Sequence, residues 1–396
     1  MLCQFDHVRN FVFTKCDPIT RGSTYENVWR PAEEIVKAQV FSSSRASNLE
    51  TFLYDYLISR GEAGPQKGIN RARSASQFSS YWRSGRHAFA TNEKLDRFVR
   101  EEFAPIMSLW VSAKSGSDIQ VAGHVTNELE PVQKRMIIRT DAMSSGPFTP
   151  IILGLLSDFY FNGRSSSWLT KRLNAVEGFA ARHLLLGTDL SPFRSKTMQI
   201  ASQCFGKSPI DLVSYFGEHS PTDSEVRGAV ENFHRRDRSL GEEDFAKRLS
   251  PTQICALFDG IEQELSKSLA THIVSTAQSK DDGFSVEHIY PQSSNKWTRD
   301  LKSWGVGADK THLMMGRVHE LGNITVLPPG VNTKISNLPL SEKKSKLLSL
   351  NRPALNIDSS WLDQRKWTMD EIGDRTRLLV DTALKQWPMP DPEDGL

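Results

Sequence analysis

Apolar residues recur at helical spacing over most of the first two thirds of the chain. Leu49, Phe52, Leu53, Tyr56 and Leu57 share one helix face, with Ser47 or Asn48 placed to cap it. Leu169, Leu173, Val176 and Ala180 form a second stripe that Gly187 can end. Ile254, Leu257, Phe258, Ile261 and Leu265 form a third, entered through Ser250-Pro251. These stripes predict helices packed on a common core. SSSRAS near Ser42 and SSS near Ser165 read as loops, and no internal repeat is present.

Between Phe284 and Leu327 the period changes. FSVEHIY and ITVL are short runs rich in β-branched residues, which predicts two strands. The polar stretch between them carries Trp297 and Trp304, and Val331–Ser336 fits a short helix. A last helix is announced by Thr368 with Glu371 as a capping box and by Trp367 stapled onto Ile372. Its apolar face continues through Leu379, Ala383 and Trp387 until Pro388. The expected fold class is mainly α (α+β).

At 396 residues the chain exceeds one comfortable core, so two or three domains are expected. The net charge of +2 is too mild to argue for a nucleic-acid partner on its own, because a weak balance can hide a basic stripe. Cys3, Cys16, Cys204 and Cys255 show no CxxC spacing, so neither a disulfide framework nor a structural zinc site is indicated. FTPIILGLLSDFYF, the longest apolar run, is too short for a bilayer and contains Asp158. A cytoplasmic protein in a reducing compartment is expected.

The richest chemistry lies in VEHIYPQS (Val286–Ser293), HELGNITVL (His319–Leu327) and GVNTKISN (Gly330–Asn337). An acid next to a histidine on one strand, a second strand, and an amide on a following helix resemble the HNH, or His-Me finger, nucleases. More narrowly, the pieces are similar to the C-terminal half of GmrSD-type restriction enzymes: acid-H-I-x-P-Q, G-N-[IL]-T, N, s-N-x-P and K, from Glu287 to Lys343. FDHVRNFVF, YENVWRP, NLETFLYDYL, AVEGFAARHLL and WTMDEIGDRTRLL extend the likeness more weakly. The family's nucleotide-hydrolysing, modification-sensing part, with its DGQQR-like motif, has no counterpart here. Another domain or subunit is expected to supply it.

The resemblance implies a multi-helical region (1–275), a ββα-metal nuclease module (276–350) and a helical segment packed on that module (351–396). It implies His288 as general base and Asn323 as the residue fixing it, with Glu287 and Asn332 holding one Mg²⁺ or Mn²⁺. His319 would touch substrate or fill a packing slot, Asn337 would organise a helix terminus, and Lys343 would face a phosphate. Two departures stand out. Glu287 occupies a position that is often aspartate, and asparagine replaces the frequent histidine at the third motif, which favours Mg²⁺ or Mn²⁺ over zinc.

Residues 63–92 contain no acid, while Lys67, Arg71, Arg73, Arg83 and Arg86 interleave with Phe78, Tyr81 and Trp82. This is the expected DNA-binding surface, its cations for phosphates and its aromatics for bases or for anchoring. His234, Arg235, Arg236 and Arg238 form a weaker cluster around Asp237. The expected function is a metal-dependent DNA endonuclease or nickase restricting foreign DNA, modified DNA included, in antiphage defence. The competing readings are a noncatalytic DNA-binding or assembly module with a relic finger, and an RNase.

Overall fold

A computed structural model describes residues 3–39, 45–60, 74–84, 92–121, 124–144, 146–188, 199–201, 211–231, 249–274, 284–293, 295–328, 330–335, 337–349 and 355–391, for a few of them by backbone alone. The chain is mainly helical. Its described residues hold two small antiparallel sheets, β1 (Ile119–Val121) with β2 (His124–Asn127), and β3 (Ser285–His288) with β4 (Ile324–Leu327).

The three expected stripes are helices. Arg45–Ser59 buries Leu49, Phe52, Leu53, Tyr56 and Leu57. It begins ahead of the expected cap, so Asn48 lies inside it. The buried amide donates to the Gln39 carbonyl at 2.9 Å, satisfying a carbonyl just beyond the preceding helix instead of capping its own. Arg45–Ser47 is therefore helix where a loop was expected; positions 42–44 lie outside the described residues. Ser166–Leu186 is capped by the Ser165 hydroxyl, which accepts from Trp168 N, and stops at Gly187 with φ +81°. Only a residue tolerant of left-handed backbone ends a helix this way. Pro251–Ser266 carries a full capping box between Ser250 and Gln253.

One large apolar core joins these helices, and it does not stop at the third. It takes in Ile324 and Val326 of β4, then Leu379, Val380 and Ala383 of the closing helix Met369–Gln386 and Trp387 just past its end. A smaller core, including Tyr290, Trp297, Met314, Ile335, Leu347, Trp361 and Trp367, lies under the excursion between β3 and β4. β4 is buried along its whole length because it is covered on both faces.

Helix Pro251–Ser266 fixes what surrounds that strand pair. Asp259 accepts from Ile273 N at 2.8 Å, holding the segment that leads towards β3. Glu262 accepts from Asn356 N and Ile357 N, each at 2.9 Å, at the start of helix Asn356–Leu362, where free N–H groups need an acceptor. Arg139 joins Asp259 to Glu177, and Arg135 Nε lies 3.0 Å from Asp259. These groups are buried, so each charge depends on its partners; removing one member of such a set costs about 3–5 kcal/mol.

Candidate functional site

β3 and β4 pair Glu287 with Thr325 and His288 with Ile324. Alternation along β3 turns Glu287 and His288 to opposite faces of the strand. The edge of β3 away from β4 would leave carbonyls bare, and two side chains cover it. Asn332, first residue of the short helix Asn332–Ile335, donates Nδ2 to the Val286 carbonyl at 3.0 Å. Lys343, on helix Leu340–Leu348, donates Nζ to the His288 carbonyl at 2.7 Å and to Glu287 Oε1 at 2.6 Å. Glu287, Asn332 and Lys343 thus gather along one strand edge.

Lys343 is 0% exposed, so it does not face a phosphate as expected. Its position is legible in hindsight: Leu340, Lys343 and Leu347 fall at i, i+3 and i+7, the buried face of their helix. Burial pushes the Glu287 carboxyl up and the Lys343 ammonium down, and the attraction between them pulls each back. The contact is short, 2.6 Å between Lys343 Nζ and Glu287 Oε1.

Because Asn332 spends its N–H on a carbonyl, its Oδ1 must be the other terminal atom, and no described residue donates to it. Glu287, which meets Lys343 at Oε1 and also takes the His288 backbone N–H, and Asn332 bring a carboxylate and an amide oxygen to the same strand edge, the hard donor types that Mg²⁺ or Mn²⁺ accepts. Among the described residues, no group of three or more His, Cys, Asp or Glu stands together as a metal cluster.

His288 Nε2 lies 3.1 Å from His319 Nδ1, with the rings near perpendicular. His319 is thus a partner of His288, where the sequence suggested substrate contact or packing. Burial first, then His319 and Lys343, push the His288 imidazole down to about 4, so it is neutral at cellular pH.

Asn323 is fully buried and its amide is satisfied on both atoms. Oδ1 accepts from Tyr290 N at 2.8 Å and Trp367 Nε1 at 2.9 Å; Nδ2 donates to Tyr290 O at 2.9 Å and Val318 O at 2.8 Å. It clamps both ends of the inter-strand excursion to the closing segment and has no free atom for a substrate. Asn337 is exposed and makes no side-chain hydrogen bond to a described residue, so no organising contact at a helix terminus is seen for it.

Sequence reasoning missed Arg375. Wholly buried under β4, it donates from Nη1 to Gly322 O and Ile324 O at 2.7 and 2.6 Å and from Nε to Ser360 at 2.7 Å; burial pushes it down to about 9. Its only signal was a cation in the apolar rhythm of the closing helix. Gly322 lies against that helix so closely that a Cβ would overlap the Ile372 carbonyl oxygen and the Thr376 hydroxyl.

Lys67, Arg71, Arg73, Arg86 and the His234–Arg238 cluster lie outside the described residues. Arg83 falls on helix Ser74–Ser84, but its side chain is likewise outside them, and Phe78 is buried in the core. Cys3, Cys16 and Cys255 are free thiols, and among the described residues no helix is long and apolar enough to cross a membrane.

No curated protein matches this chain. Residues 234–382 match the family model for the C-terminal domain of GmrSD restriction endonucleases, a span that holds β3, β4, every residue of the strand-edge site and most of the closing helix. That stretch of the chain is a GmrSD-type restriction endonuclease C-terminal domain, of the restriction-nuclease class.

Proposed function

We propose that the chain is a metal-dependent DNA endonuclease of the HNH type whose β3–β4 pair and helix Asn332–Ile335 form the ββα finger. The observation that carries this reading is that Glu287 and Asn332 meet one edge of β3, Asn332 from the following helix, while the neutral His288 imidazole stands at the end of the same strand. The match to a restriction endonuclease domain supports DNA as substrate.

His288 is the general base. Its Nε2 is engaged by His319; with Nε2 as the donor of that contact, Nδ1 is the atom that takes a proton from the attacking water. Glu287 and Asn332 would hold a hard divalent cation, which when bound supplies positive charge to the phosphate and the departing 3′ oxygen. Asn323 keeps the strand and excursion in register so that the imidazole is held in place. Lys296, Arg299 and Lys302 are exposed at i, i+3 and i+6 on the excursion and pair with no described residue; they are suited to DNA phosphates. One such site cuts one strand, so nicking is the expected product of a single chain.

The test is conversion of supercoiled plasmid to open circle by the purified chain with Mg²⁺, with chelator, and with His288→Ala, beside an RNA substrate. Magnesium-dependent nicking lost in His288→Ala supports the reading. DNA binding without turnover returns the module to a noncatalytic role, and cleavage of RNA alone makes it an RNase.

A further inference from the structure

Helix Ala104–Ser115 is buried along most of its length, yet one face of it is polar. Ser108, Ser112 and Ser115 fall at i, i+4 and i+7, and with Val111 they line a cavity of about 350 Å³. Ile35 and Gln39 reach this cavity from helix Arg30–Lys37 and the residues just past it, and Asp118 and Gln120 from β1 and the turn before it. None of these residues falls within 234–382, so the cavity lies outside the matched domain.

Ser108 is the informative residue. Ser112, Thr140, Ser144 and Ser157, also buried in helices, each donate to the carbonyl four residues back. Ser108 is 3% exposed, and its hydroxyl has no partner. A hydroxyl withdrawn from water and left unbonded is costly, and on a cavity wall a ligand can supply the missing bond. The rest of the lining mostly accepts. Ser112 and Ser115 commit their hydrogens inside the protein, and Gln39 donates Nε2 to the Ile35 carbonyl at 3.0 Å, so each keeps oxygen lone pairs for a guest. The Asp118 carboxylate is matched by Lys134 Nζ at 2.8 Å, and no cation lines the cavity among the described residues. A phosphate has nothing to pair with there, and an ammonium gains little. The walls suit a neutral ligand that donates from one atom and accepts at the next, with a ring to cover Ile35 and Val111. Adenine and cytosine carry an exocyclic amine beside a ring nitrogen and have that edge.

We propose that this cavity binds an amino-bearing nucleobase, Ser108 donating to its ring nitrogen and the neighbouring oxygens accepting from its exocyclic amine. The base belongs to a free nucleoside or to an unpaired position of a DNA strand, and the recognition chemistry is the same for both. The inference stands independently of the strand-edge site.

The experiment is calorimetric titration of the full chain, in chelator, with adenosine, cytidine, thymidine and glucose, and with a short strand holding one adenine among abasic positions against the fully abasic strand. Adenosine or cytidine, or the single adenine on the strand, should bind about tenfold tighter than thymidine or the abasic control. Ser108→Val should lose about tenfold of that affinity while the melting temperature of the ligand-free chain does not fall, because only an unpaired hydroxyl is removed. If Ser108→Val does not fold, Gln120→Ala, a change at an exposed wall residue, should weaken the same ligands. A response confined to the monomers assigns the base to free nucleosides, and a response on the strand assigns it to DNA; both uphold the proposal. Glucose binding ahead of the nucleosides, or affinities in both arms that ignore these substitutions, overturns it, as does absence of binding in both.

Discussion

His288 Nε2 and His319 Nδ1 stand 3.1 Å apart, so one of these nitrogens donates and the other accepts, and the two rings cannot both be cations in that contact. His319 thereby fixes the orientation of His288, and in the tautomer in which Nε2 donates, Nδ1 carries the lone pair that the proposed base needs. Replacing His319 by Ala should lower single-turnover nicking about 10–100-fold with DNA affinity unchanged. His319→Gln, which keeps a hydrogen-bonding amide, should recover part of the loss. Equal rates in parent and His319→Ala chains would reduce His319 to packing.

His288→Ala should reduce nicking by about 10²–10⁴-fold. Because burial and its neighbours push the imidazole down to about 4, the base form persists well below neutrality, and the acid limb of the pH–rate profile should lie under pH 6. The sign for stability follows from the same shift. The unfolded chain takes up this proton near its ordinary value of about 6.5, the folded chain only near 4, so stability is full above pH 6.5 and falls as pH drops between the two. Thermal melts from pH 4 to 7 should show a smaller decline for His288→Gln than for the parent.

Breaking the buried pair from either side should be expensive. Lys343→Met leaves the Glu287 carboxylate without its partner and strips the His288 carbonyl of a donor, a loss of about 3–5 kcal/mol in urea unfolding. The double variant Lys343→Met/Glu287→Gln should regain part of it, since no lone charge is left behind. An additive double variant would mean that the contact carries little energy.

Gly322→Ala should destabilise the chain by about 3 kcal/mol, because the added methyl overlaps the Ile372 carbonyl oxygen and the Thr376 hydroxyl and must push the closing helix off β4. A melting temperature equal to that of the parent would contradict this close approach.

If Lys296, Arg299 and Lys302 meet DNA, each alanine change should flatten the slope of log affinity against log salt by about 0.9 per lost phosphate contact. Unchanged slopes would move the DNA path elsewhere, with residues 63–92 the next region to probe.

Periodicity carried much of this architecture. The helices containing Leu49, Leu169 and Ile254, the two strands, and the Thr368–Glu371 box all stand where spacing placed them, though the first begins ahead of its expected cap. Local patterns do this well because a helix face or a cap is decided by residues a turn apart. Asn48, Lys343 and His319 were read differently because their partners lie farther along the chain: the Gln39 carbonyl, Glu287 and His288. Nothing near Lys343 in the sequence announces a carboxylate 56 positions earlier. Arg375 was invisible for the same reason, its acceptors being β4-end carbonyls that only the folded chain brings under the closing helix.

The large core's passage from the N-terminal helices into Ile324, Val326 and the closing helix makes the stretch from β3 to the end of that helix a dependent tenant. Excised from the chain, it would carry away a strand and a helix whose oily sides had lost their cover, and Asn356 and Ile357 would leave Glu262 behind. Swapping this segment between related enzymes therefore requires grafting the helical bed along with it.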